Sequence, residues 1–190
     1  MISKKGKLDK LNIYWNENCK CKLKKTATQA VFGDGNANSN IVFIGEAPGK
    51  REDESGKPFT GAAGKFLNEM LESINIKRSN IYITNIVKYR PPNNRDPKPE
   101  EIEDCNIWLL DELKIISPKL IVFLGRHSMQ IFFPKEKISA SHGKLLFKDI
   151  PELGTQAFLP LYHPAAALYN RSLRKTLVKD FKKIPIILKN

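Results

Sequence analysis

Short, almost unbroken apolar runs punctuate the chain: Ile41-Val42-Phe43-Ile44, Ile81-Tyr82-Ile83 and Leu120-Ile121-Val122-Phe123-Leu124. A half-exposed strand would alternate apolar and polar positions, so runs this short without alternation read as strands buried on both faces. Gly143 to Lys148 and Gln156 to Tyr162 read as further strands. Between the runs the period becomes helical. Phe66, Leu67, Met70, Leu71 and Ile74 share one face and predict a helix over 63–74. A second helix is expected over 99–116, where Pro99 suits the first turn and Glu100, Glu101 and Glu103 complement the dipole. A short helix over 126–133 stops at Pro134, and a basic one covers 173–184. A weakly amphipathic segment around 8–15 lies inside a basic N-terminal lead, residues 1–24. The proline-rich stretch 89–97 cannot be helical. Strands alternating with helices predict a single α/β domain over residues 1–190, a three-layer α/β/α sandwich around a central, mainly parallel four-stranded sheet.

Composition supports a packed globule: 190 residues with 41% hydrophobic content. It also adds a partner. A net charge of +12 and a pI near 9.6 point to an acidic surface, with nucleic acid ahead of an anionic membrane. No run approaches the roughly 18 apolar residues of a membrane span. Met1-Ile2-Ser3-Lys4-Lys5 lacks the apolar core of a signal peptide, so a cytoplasmic protein is expected. Three cysteines, an odd number, do not suggest a disulfide framework. Cys19 and Cys21 stand closer together than paired metal ligands usually do.

The chemistry gathers where strands end. Gly45-Glu46-Ala47-Pro48-Gly49 leaves the first apolar run and leads through Glu52 to Gly56-Lys57-Pro58-Phe59. Neither this loop nor Gly61-Ala62-Ala63-Gly64-Lys65-Phe66 has the spacing and Ser/Thr of a phosphate-binding P-loop. The second run ends on Thr84-Asn85, and the last on His163-Pro164. In a parallel sheet the strand carboxyl ends share one edge, so the three segments converge there. Taken singly, each has an ordinary reading: Phe59 as a plug of the local core, Asn85 as a turn former, His163 as a structural histidine. Together they form an aromatic face, an amide and an imidazole, which suits a flat heterocycle. An Asn amide offers an acceptor beside a donor, matching the N3–H and O4 of uracil, whereas cytosine presents the opposite pair. With a basic exterior, the picture is a base flipped out of nucleic acid into a pocket.

These motifs, with Thr84-Asn85-Ile86-Val87-Lys88, Arg90-Pro91-Pro92, Asn94-Arg95 and Leu124-Gly125, resemble the uracil-DNA glycosylase superfamily, and most of all its family 4. The similarity runs from about Cys21 to the C-terminus. The resemblance implies a monofunctional glycosylase that hydrolyses the N-glycosidic bond of uracil in single- or double-stranded DNA and leaves an abasic site, acting as a monomer in base excision repair. It implies that Phe59 stacks on uracil beside Gly45, Ala47, Pro48 and Gly49. Asn85 reads its edge and His163 donates to O2. Glu46 or Glu52 assists water, and the choice between them is open. Arg90, Arg95 and Arg171 would contact DNA, and Leu168 or Tyr169 would act as a wedge. Ala47 stands where other uracil glycosylases carry a water-activating Asp, so catalysis would lean on leaving-group stabilisation.

The resemblance also implies a 4Fe-4S cluster, and here the chain departs from it. Cys21 and Cys105 match ligand positions, Cys19 is one residue too close to Cys21, and Tyr89 replaces another ligand. Four-cysteine ligation within one chain is impossible, so no cofactor is expected. Cys19, Cys21 and Cys105 would hold iron only as a three-cysteine cluster completed by a non-protein or oxygen ligand.

Overall fold

The computed structural model describes residues 2–151 and 153–189. Its centre is a row of parallel strands: β2 (Ile41–Gly45), β3 (Tyr82–Asn85), β4 (Leu120–Leu124) and β6 (Gly154–Leu161). All residues of β2, β3 and β4 are buried, as unbroken apolar runs require. The sheet has six strands rather than the expected four, in the order β1-β3-β2-β4-β6-β5. The two additions are antiparallel edges, β1 (Asp34–Gly35) and β5 (Leu146–Ile150). Their residues are largely exposed, so neither shows a buried run of the kind that marks the inner strands. Residues 143–148 do contribute a strand, but it starts at Leu146.

Alternate residues of each inner strand face opposite layers. Val42, Ile44, Ile121 and Phe123 pack with α1 (Lys4–Asn18), α4 (Pro99–Ile116) and α5 (Arg126–Phe132). Ile41, Phe43, Val122 and Leu124 pack with α3 (Ala62–Glu72) and α8 (Arg171–Phe181). Helix α4 begins and ends where Pro99 and the acidic first turn predict. The remaining helices are α2 (Lys50–Ser55), α6 (Ile138–Ser141), α7 (Pro164–Leu168) and α9 (Ile184–Lys189). No described helix is long and apolar enough to cross a membrane.

Helix α1 docks on α4 through polar bonds from aromatic rings more than through an apolar stripe. Trp108 Nε1 donates to Asn12 Oδ1 and Trp15 Nε1 to Asp111 Oδ2, each at 3.2 Å. Tyr89 Oη donates to Asn16 Oδ1 at 3.1 Å.

From β2 the chain passes through α3 to β3 on one side, then through α4 to β4 on the other. From β4 it turns into α5, on the same side as α4, so the exit of β2 turns to the opposite layer from the exits of both its neighbours, β3 and β4. The sheet edge at the β2 exit is a topological switch point, where open α/β sheets hold ligands.

Candidate active site

A cavity of about 380 Å³ opens at this switch point. Its wall joins the β2 exit (Glu46 to Gly49), Phe59, Asn85 and His163, the groups the sequence placed at strand ends. Two glycines make the close approach possible. A Cβ on Gly45 would lie 2.4 Å from Asn85 Oδ1 and 2.7 Å from the Phe59 ring, and one on Gly64 would lie 1.8 Å from the Phe59 carbonyl oxygen. Phe59 itself adopts φ of +54°, a left-handed conformation uncommon for a bulky residue and typical of functional sites. Arg78 helps hold it there, donating from Nη2 to the Pro58 carbonyl at 2.7 Å. The Phe59 ring belongs to the core under α3 and also lines the cavity, so it is both plug and platform. Its centroid lies 5.9 Å from that of His163.

Asn85 ends β3 and is 2% exposed. Among the described residues, its Oδ1 has no hydrogen-bond partner. Its backbone is fixed from below: Lys88 Nζ donates to the Asn85 carbonyl at 3.0 Å, and also to Glu112 and Thr84. Both the Lys88 and the Glu112 side chains are fully buried.

His163 caps α7, and its Nδ1 accepts from the Ala165 N–H at 3.1 Å. An Nδ1 used as acceptor leaves the proton on Nε2, so a neutral His163 presents Nε2–H as a donor. Burial, and then the nearby charge of His127, push its pKa from the ordinary 6.5 to about 4. The imidazole is therefore neutral at pH 7.

The two glutamates differ. Glu52 Oε1 accepts from the Thr60 and Gly61 N–H groups, both at 2.8 Å, so its carboxylate ties the Phe59 loop to the start of α3. Glu46 carries no comparable backbone bonds. Burial raises its pKa, while protonated His127 opposes that rise.

The expected DNA-contact residues are scattered. Arg95 lines the cavity but donates to both Glu101 oxygens at 2.8 and 2.6 Å. Arg90 donates from Nε to Asn94 Oδ1 at 2.7 Å, outside the cavity wall. Leu168 packs partly against the core, Tyr169 is 96% exposed beside it, and Arg171 starts α8 in solvent. Gly45 is not among the residues lining the cavity and lies against Asn85 Oδ1 and the Phe59 ring.

Sequence reading missed Asp96, Arg126 and His127. Glu46, Asp96 and His127 bring carboxylate and imidazole atoms within 4.8 Å of one another, a donor set of the kind that binds divalent metals. However, Arg126 Nε donates to His127 Nε2 at 3.0 Å and Arg126 Nη2 pairs with Asp96 Oδ2 at 3.1 Å. The guanidinium supplies the positive charge a cation would bring, so the cluster is an ion-pair network. The available signal was position: His127 follows the Leu124-Gly125 exit of an inner strand.

Cys19, Cys21 and Cys105 are buried together beneath α4. A hydrogen bond from Cys105 draws the Cys19 thiol down to about pH 6 and lowers Cys21, and the same contacts raise Cys105. Beside them Tyr89 is 1% exposed, its hydroxyl committed to Asn16 and its pKa raised by burial and by the thiols. A cubane iron–sulfur cluster takes four thiolates. Three free thiols, with Cys105 hydrogen-bonded to the other two and the Tyr89 hydroxyl committed to Asn16, do not fit that group.

Comparison with known proteins agrees with this arrangement. The family model described as the uracil DNA glycosylase superfamily matches residues 32–184. The type-4 uracil-DNA glycosylase of Sulfurisphaera tokodaii is 49% identical over 171 residues, 87% of this chain and 77% of that protein. That of Archaeoglobus fulgidus is 48% identical over 169 residues, covering 87% and 85%. That of Thermotoga maritima is 42% identical over 171 residues, covering 89% and 88%. The chain belongs to the uracil DNA glycosylase superfamily, on its type-4 side.

Proposed function

We propose that this protein is a monofunctional uracil-DNA glycosylase of base excision repair, acting on uracil flipped out of single- or double-stranded DNA. The observation that carries the reading is the orphaned Asn85 Oδ1. A buried acceptor without a donor costs about 1–3 kcal/mol, and the N3–H of uracil supplies the missing donor while Asn85 Nδ2 faces O4. Phe59 stacks on the ring. As the bond between the base nitrogen N1 and the sugar carbon C1′ breaks, its electron pair goes to uracil. His163 Nε2–H donates to O2, where the charge collects, and a neutral imidazole fixed before the reaction needs no rearrangement to do so. Water adds to C1′ and gives its proton to Glu46. Glu52 is occupied by backbone N–H groups, which favours Glu46 as the acceptor. Ala47 offers no carboxylate, so leaving-group stabilisation carries most of the rate.

On this reading Tyr169 is the wedge, since Leu168 is held by the core, and the basic face of α8 follows the phosphates. The enzyme works as a monomer without an iron–sulfur cluster, and its pocket also accepts other deaminated bases. A single-turnover assay on a uracil-containing oligonucleotide tests the function. Alkali-labile sites at uracil are expected. A protein that retards the DNA without producing them would be a binding relative of the same fold.

A further inference from the structure

We propose that His127 is a positioning residue for the reaction: it holds Glu46 at the cavity as a carboxylate, in a network closed by Asp96 and Arg126. The inference rests on the glycosylase reading of Glu46 as proton acceptor.

The fold puts the two residues together. Glu46 leaves β2 and His127 leaves β4, neighbouring parallel strands whose exits diverge at the switch point. Asp96 comes from the loop after β3 and closes the third side. His127 Nε2 lies 3.7 Å from Glu46 Oε2, 3.2 Å from Asp96 Oδ2 and 3.0 Å from Arg126 Nε. Nε2 is thus the meeting point of two carboxylates and one guanidinium. With a proton there, the imidazolium bridges the carboxylates. Without one, Nε2 accepts from Arg126, which keeps its own grip on Asp96.

Side-chain exposure is 26% for Glu46 and 21% for His127 but 62% for Asp96, so the Glu46–His127 contact is the sheltered part of the network. Glu46 sits on the cavity wall, where burial favours its neutral form. A protonated Glu46 cannot accept a proton from water. The charges that face Glu46 are His127 and Arg126, which favour the carboxylate, and Asp96, which opposes it. Arg95, also on the wall, is taken up by Glu101. A proton on His127 Nε2 sets a positive charge 3.7 Å from Glu46 Oε2, and that charge also bears on His163, where it favours the neutral donor. One imidazole therefore pushes the base toward its charged form and the donor toward its neutral form.

The test compares wild type, His127→Gln and His127→Lys. One arm is the pH dependence of single-turnover uracil release from a single-stranded oligonucleotide. The other, independent of activity, is the carboxyl titration of Glu46 by NMR on glutamate-labelled protein. Losing a facing cation raises a carboxyl pKa. Both the acid limb of the rate and the Glu46 titration should therefore move to higher pH in His127→Gln. The rate on the acid limb should fall at least about twofold, the rate on the alkaline plateau should stay within about twofold, and His127→Lys should move both midpoints back. Binding of an uncleavable 2′-fluoro-deoxyuridine oligonucleotide should not weaken. A Glu46 midpoint equal in wild type and His127→Gln overturns the proposal, even if the rate falls. Failure of the glycosylase reading looks different, because wild type would then release no uracil while the Glu46 titration still reports on His127.

Discussion

Asn85 Oδ1 is a buried acceptor without a donor, and such atoms are retained where a ligand completes them. Asn85→Ala should lower uracil excision by about 10²–10³, as should removal of the Nε2–H donor in His163→Ala. Gly45→Ala should do comparable damage without touching uracil, because its Cβ would displace Asn85 Oδ1 and the Phe59 ring. His163 adds a pH effect. Its folded pKa of about 4 lies below the ordinary 6.5, so the unfolded chain binds the extra proton first. Its stability contribution is complete above pH 6.5 and is lost as pH falls toward 4. The thermal midpoint of wild type should drop more between pH 7 and pH 5 than that of His163→Gln. Phe59, Asn85 and His163 were legible because each stands beside Gly, Pro or a strand end, where local pattern marks a strand exit. Asp96 and His127 were not, since they gain meaning only when the exits of β3 and β4 meet in space. Glu46 and Glu52 looked alike in sequence and separate once backbone hydrogen bonds are seen.

At the level of elements, the inner strands were readable because burial on both faces leaves unbroken apolar runs. The two-residue edge strand β1 carries no such run and was missed, while the strand read over 143–148 was left out of the expected four-stranded sheet and pairs as the edge β5 of six. Helix α1 was underestimated, spanning Lys4–Asn18 rather than 8–15, because its docking bonds run to Trp108, Asp111 and Tyr89 far along the chain. The hidden ion pair of Lys88 with Glu112 was invisible too, since a Lys after a strand reads as a solvent residue. Lys88→Met would strand a buried carboxylate and should destabilise the fold by about 3–5 kcal/mol in chemical denaturation. Adding Glu112→Leu should recover much of that loss, while excision stays impaired through the freed Asn85 carbonyl.

Across the whole molecule, the excess of cations bears on how DNA is held rather than on which base is read. Each phosphate contact adds about 0.9 to the slope of log affinity against log salt on duplex DNA. Lys175→Glu on α8 should flatten that slope while leaving excision at saturating DNA unchanged. Tyr169→Ala should slow excision from duplex more than from single strands, because only the duplex must be unstacked. With three thiols and the Tyr89 hydroxyl committed to Asn16, protein purified without oxygen should be colourless and free of iron. The family resemblance was legible from the motifs; how the chain manages without the fourth cysteine needed the contacts of Tyr89 with Asn16 and of Cys105 with its two neighbours.

The claim on which the account turns is that Asn85 Oδ1 reads the N3–H of uracil. Single-turnover excision should be compared between deoxyuridine and N3-methyl-deoxyuridine in the same single-stranded oligonucleotide. A site built around a buried acceptor should reject the methylated base by at least about 10²-fold. Equal rates on the two substrates would contradict it.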